Sequence, residues 1–194
     1  VTYRHVALIG RAGAGKDTVG ARLVHRFAFV RVAFADPLRA MALDVNPIID
    51  TEPASDSLRA PLRLSDLVRS EGWDAAKQRS EVRRTLQRLG QAVRDQDPDY
   101  WLRLALARID VADRWGLPVV VTDARHINEA EALRARGFLL VRIVRPGTAG
   151  QADATARRHI SERELRGFDA DAVLTNGARL ADLHALADRL AVPR

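Results

Sequence analysis

The chain contains no cysteine, which excludes disulfides and thiolate chemistry and fits a reducing, cytoplasmic setting. Aromatic residues make up only 5%, few for a protein that would stack single-stranded bases. No apolar run approaches the length that crosses a bilayer, and no charged, apolar and small-residue succession marks a signal peptide. The chain opens at Val1, and an initiator residue or short leader is expected ahead of it. Lysine is almost missing as well. Lys16 and Lys77 are the only two, and arginine carries the rest of the positive charge.

What is present suits one domain with an insert: 194 residues, 47% hydrophobic and 29% charged, enough to bury a substantial core. A net charge of +6 suggests an acidic partner such as a nucleotide or a phosphate-rich metabolite. Arg and Asp/Glu interleave along the chain instead of forming one basic block, which is the pattern of a solvated surface. No stable nucleic-acid partner and no membrane contact are expected.

Short apolar strands alternate with helices at both ends. Residues 3–9 and 29–34 read as strands around a helix over 16–28, whose Val19, Leu23, Val24 and Phe27 share one face. The stretch DPLRAMALDV starts a helix with Asp36 as its N-cap and Pro37 in the first turn. Residues 46–63, with Pro47, Pro53 and Pro61, read as a loop or mobile insert. Helices are expected at roughly 64–71, 78–94 and 98–115. PVVVTD is a strand apolar enough to be buried on both faces. A helix closed by Gly137, the strand FLLVRIV, a helix around 152–165, the strand DAVLTN and a terminal helix over 178–191 complete the pattern. Such alternation predicts an α/β fold, a parallel sheet flanked by helices. The core is expected at about 1–45 and 116–194, a helical insert at about 46–115, and a short Arg-rich lid at about 146–168.

One stretch carries chemistry. Between the first strand and first helix stands GRAGAGKD, a phosphate-loop pattern running from Gly10 to Gly15 and Lys16. A match of this kind arises by chance in roughly 1% of chains of such composition. Its position strengthens it, because backbone amides and the helix dipole converge there on an anion. Lys16 occupies the one place from which an ammonium bridges β- and γ-phosphates. The residue after it should be a hydroxyl that ligates Mg²⁺, and it is Asp17. Its carboxylate could hold the metal through a water. Thr18 is a poor substitute, pointing about 100° away around the helix.

Other positions join this loop or have plainer roles. Asp123 closes a buried strand at its carboxyl end, where open α/β sheets bind ligands, and is alternatively a cap for the next helix. Arg125 follows within reach of a substrate phosphate. Asp36 faces the same rim and has the same cap alternative. Gln87, Gly90 and Arg94 share one helix face, from which a Gln meets a base edge and an Arg a monophosphate. The run RRHISERELR supplies Arg157, Arg158, Arg163 and Arg166, either for a transferring phosphate or as a solvated face paired with Glu162 and Glu164. Trp73 and Trp101 are expected in the core. The histidines lack metal-ligand spacing, and no Ser-His-Asp pattern occurs.

Taken together, GRAGAGKDT, FADPLR, LQRLGQAVR followed by YW, VTDARHINEAEAL, HISERE and AVLTNGARL resemble the bacteriophage-type deoxynucleoside monophosphate kinases, a branch of the P-loop kinases. That family also carries Gly-Lys-Asp in its phosphate loop, although Gln91-Ala92 here stands where it often has Thr-Glu. The resemblance implies transfer of the ATP γ-phosphoryl group to a deoxynucleoside 5′-monophosphate, with ATP and Mg²⁺ as cofactors. It implies that Gly13, Ala14, Gly15, Lys16, Asp17 and Thr18 cradle ATP, with Asn176 in the loop near adenine. Asp36, Arg69, Gln87, Arg94, Asp123 and Arg125 would line the acceptor side. Arg157 and Arg158 would belong to a closing lid, and Asp17 and Asp123 would serve the metal. A cytoplasmic homodimer is also implied. Phosphomevalonate kinase and dephospho-coenzyme A kinase are the nearest alternatives, and a nucleic-acid-binding P-loop NTPase is a more distant one.

Overall fold

A computed structural model describes residues 2–55, 58–146, 164–165, 167–177 and 179–194. The chain divides into two compact units, one formed by Val1–Phe34 with Ala105–Arg194 and the other by Ala35–Leu104.

The first unit is built on a parallel five-stranded sheet. Its strands are β1 (Val6–Ile9), β2 (Val30–Val32), β5 (Val119–Val121), β6 (Leu139–Val144) and β7 (Ala172–Thr175), in the order β2-β5-β1-β6-β7. Val6 registers with Val120 on one side and Leu139 on the other. Every residue of β1 and β5 is fully buried, which explains why both strands are uninterrupted apolar runs. Successive side chains point to opposite faces. Val6 and Leu8 therefore join Val120, Val141 and Ile143 on one side, under α1 (Lys16–Phe27) and the terminal helix α7 (Leu180–Asp188). Arg22 of α1 closes this layer with two hydrogen bonds to Asp188 of α7, at 2.7 and 2.8 Å. Those bonds hold the Asp188 carboxyl below the usual carboxylate range.

The ends of the central strands are joined by a buried histidine. His5 Nδ1 accepts the Val119 N–H at 2.9 Å, so Nε2 carries the proton and donates to Asp113 at 2.7 Å, on α5 (Tyr100–Arg114). Its ring packs against Phe138. The helix α6 (Ile127–Ala135) follows β5 and ends before Gly137, whose φ of 79° reverses the chain into β6.

The second unit holds α2 (Ala35–Val45), β3 (Ile48–Ser55), β4 (Leu58–Arg63), α3 (Leu64–Ala76), α4 (Ser80–Gln96) and the first turn of α5. Its core gathers Ala42, Ile49, Leu64, Leu67, Ala76 and Val82, with Trp73 and Leu86 packed against them. Here the structure corrects one expectation. Residues 46–63 are not a loop, because β3 and β4 pair as an antiparallel ribbon with bulges near Ile48 and Pro53. Each strand of a two-stranded ribbon is an edge, where a proline's missing N–H is tolerated. α3 also runs past the expected end at residue 71, broken at Gly72, which has a non-helical φ of 77°. Trp101 is buried as expected, its indole N–H donating to the Gly90 carbonyl at 3.2 Å.

Candidate active site

The loop between β1 and α1 has the conformation that its glycines permit and other residues would resist. Gly10, Gly13 and Gly15 have φ of 141°, 73° and 108°. A Cβ on Gly10 would lie 2.4 Å from the Ile143 carbonyl oxygen, and one on Gly15 would lie 2.8 Å from the Asn176 amide nitrogen. The glycines thus let the loop lie against β6 and against the segment after β7. α1 starts at Lys16 behind an N-cap glycine and has no side-chain cap, so its N-terminal amides face outward for an anion. Asp17 lies exposed in that first turn, and Thr18 is half-buried.

Lys16 is buried, and its ammonium donates to the carbonyls of Gly10 at 2.7 Å and Arg11 at 2.8 Å. It therefore spans the loop from the inside. Asn176 braces the same loop from β7: its side-chain amide donates to the Ala14 carbonyl at 2.9 Å and its backbone N–H to Val144 at 2.7 Å. The residue expected near adenine is thus in contact with the phosphate loop.

Asp123 follows β5 and accepts the Phe34 N–H at 2.9 Å, which ties the end of β5 to the segment leaving β2. It is not the cap of α6. That cap is His126, with the buried Glu129 accepting the backbone N–H groups of Arg125 at 2.8 Å and His126 at 3.1 Å. Glu129 thereby sets the backbone from which the exposed Arg125 side chain projects. Glu164 accepts from His126 Nδ1 at 2.6 Å and Ile127 N–H at 3.3 Å. Arg157, Arg158, Arg163 and Arg166 lie outside the described residues, as does the helix expected around 152–165 apart from its last two positions.

The acceptor candidates of the second unit sit on three helices. Asp36, expected as the cap, is the second residue of α2, inside its first turn, and pairs with Arg39 at 3.5 Å. Arg69 is exposed on α3 and pairs with Asp66 at 3.2 Å. On α4, Gln87 is exposed and Arg94 donates to the Pro98 carbonyl at 3.2 Å. Gly90 between them is where α2 comes close: a Cβ there would lie 3.1 Å from Leu38.

Two residues near the loop escaped the sequence reading. A Cβ on Gly20 of α1 would lie 2.5 Å from Thr122 Cγ2, and Thr122 Oγ1 is buried with no hydrogen-bond partner among the described residues. Gly20 stands four residues after Lys16 on the same helix face, the one signal that pointed to it. The loop itself tests whether a nucleotide and its metal fit. A Cβ on Gly13 would meet nothing within 4 Å, and the loop presents amides, an ammonium and the exposed Asp17 carboxylate, which suits a phosphate chain with a hard cation. Among the described residues no group of three or more His, Asp or Glu is gathered to hold a metal alone.

A parallel sheet with a lysine-bearing glycine loop between its central strand and first helix defines the class: this is the fold of the P-loop kinases. It resembles the unliganded sugar kinase of a Janibacter species with a TM-score of 0.50 and 15% identity, over 97% of this chain and 94% of that one. Within the class, the family model of the deoxynucleotide monophosphate kinases matches residues 67–186, and the chain belongs to that family. The matched span begins after the phosphate loop, so loop geometry and family membership are separate grounds.

Relatives include the deoxynucleotide monophosphate kinase of Escherichia phage RB69, 33% identical over 112 residues, which are 56% of this chain and 44% of that protein. A protein of Acanthamoeba polyphaga mimivirus, provisionally named for the same activity, is 26% identical over 93% of this chain and 92% of its own. The chain spans less than half the length of the phage relatives it matches.

Proposed function

We propose that this protein transfers the γ-phosphoryl group of ATP to a deoxynucleoside 5′-monophosphate. An oxygen of the acceptor's phosphate forms a bond to the γ-phosphorus as the bond to the β–γ bridging oxygen breaks, giving the deoxynucleoside diphosphate and ADP. The observation that carries the reading is the glycine cradle closed by Lys16, in a chain of this family.

In this reading the amides of residues 13–18 take the β- and γ-phosphates, and Lys16 turns from the loop carbonyls toward them. Asn176 keeps the loop in shape. Asp17, through a water, and Asp123 would hold Mg²⁺, which when bound offsets charge on the β- and γ-phosphate oxygens. Asp36, Arg69, Gln87 and Arg94 bind the acceptor, and Arg125, Arg157 and Arg158 neutralise the group in transfer. The protein's contribution is position and charge, not covalent catalysis.

The test is ADP formation from ATP and Mg²⁺ with separate deoxy- and ribonucleoside monophosphates, phosphomevalonate and dephospho-coenzyme A. Turnover with deoxynucleotides supports the proposal. Turnover with a non-nucleotide acceptor alone overturns the substrate while retaining the loop. ATP loss that no acceptor accelerates overturns the kinase reading.

A further inference from the structure

Glu129, the third residue of α6, is only 2% exposed, although glutamates are almost never buried so fully. A capping box accounts for part of this. In it the third-position carboxylate accepts the N–H of the cap residue, here His126 at 3.1 Å. It does not account for the shorter bond. The same oxygen, Oε2, also accepts the N–H of Arg125 at 2.8 Å, one residue outside the cap. The helix end is served by a second carboxylate as well, since Glu164 bonds the His126 ring and the Ile127 N–H.

Arg125 is thus held on both sides. Before it, Ala124 is buried and Asp123 accepts the Phe34 N–H. Its side chain is exposed, while its backbone is tied to a group that water does not reach. That backbone also starts beside the phosphate loop. β1 and β5 are neighbouring parallel strands, about 4.8 Å apart, and Ala7 registers with Val121. Gly10 and Ala124 each follow three residues on, so the loop and Arg125 leave the same carboxyl edge side by side.

We infer that Glu129 is a positioning residue for phosphoryl transfer, fixing through one oxygen the backbone from which Arg125 meets the group in transfer. The inference rests on the nucleotide-kinase reading above. An arginine stabilises developing charge in proportion to how well it is placed beforehand, because ordering it during the reaction costs entropy. Holding the Arg125 N–H removes part of that cost. Glu129 itself touches no substrate.

The test is a double-mutant cycle between E129A and R125A, using the deoxynucleoside monophosphate that wild type phosphorylates best. Both kcat and equilibrium binding of MgATP are measured for each variant. E129A should bind MgATP as wild type does and lose about tenfold in kcat, the scale of a misplacement under 1 Å. E129Q keeps an oxygen for both N–H groups and should retain wild-type kcat. In the R125A background, E129A should cost no more than about twofold further, as for residues that act as a unit. An equal loss in both backgrounds makes Glu129 a structural residue and overturns the inference alone. Wild-type kcat in E129A, or an E129Q as slow as E129A, does the same. If E129A does not bind MgATP, E129D replaces it in the cycle, its shorter side chain withdrawing the same charge from the N–H groups. R125A with wild-type kcat removes Arg125 from the transfer, and wild type without turnover removes the kinase reading. Either takes this inference with it.

Discussion

At the scale of single residues, the chain's scarcity of lysine makes Lys16 conspicuous, and the structure gives that scarcity a meaning. A buried ammonium needs partners, and the two loop carbonyls provide them until an anion does. Replacing Lys16 by Ala should lower kcat/KM by roughly 10³-fold, the scale of losing a main electrostatic contact to developing charge. Near-normal turnover would remove the loop from catalysis. Asp17 calls for a different measurement, since its proposed role is toward the metal. D17A should need more Mg²⁺ for half-maximal rate, and an unchanged Mg²⁺ titration would take Asp17 out of the metal site. The loop, its lysine and the odd aspartate were legible because they are contiguous. Thr122 and Gly20 were not, because their meaning lies in a contact between β5 and α1 that no local pattern records.

Elements were legible in proportion to how fully they are buried. β1 and β5 announce themselves as apolar runs because helices cover both faces of the sheet. The β3–β4 ribbon did not, since only Ile49 of β3 is buried and its prolines read as breakers. Without a buried face there is no alternation to detect. Helix ends fared better, with Gly137 stopping α6 where the sequence suggested. The cap of α6 was missed because His126 stands where a Ser, Thr, Asp or Asn usually marks a capping box with a Glu three residues on. One packing contact yields a prediction on this scale. β6 runs close to the phosphate loop at Gly10, so G10A forces a methyl group to within 2.4 Å of the Ile143 carbonyl. It should destabilise the protein by about 1–3 kcal/mol, read from urea unfolding. A midpoint unchanged from wild type would show that the loop yields there.

For the molecule as a whole, acid sensitivity should centre on His5, which links β1, β5 and α5. Burial lowers its pKa more than the Asp113 carboxylate raises it, and Nδ1 already accepts the Val119 N–H. The folded state thus binds a proton less readily than the unfolded chain, whose histidine titrates near 6.5. Stability should be complete above that pH and fall as pH drops below it, toward the lower folded value. Melting temperatures between pH 7.5 and 5 should show this decline, and H5Q should flatten it. A wild-type profile level across that range would contradict the tautomer assigned here. The central claim concerns where the phosphoryl group goes, and one measurement tests it most directly. ATP labelled in its γ-phosphate is incubated with Mg²⁺, the protein and one deoxynucleoside monophosphate, and the products are separated. The account predicts label in the β-phosphate of the deoxynucleoside diphosphate, with ADP formed in equal amount. Label found only in inorganic phosphate would contradict it.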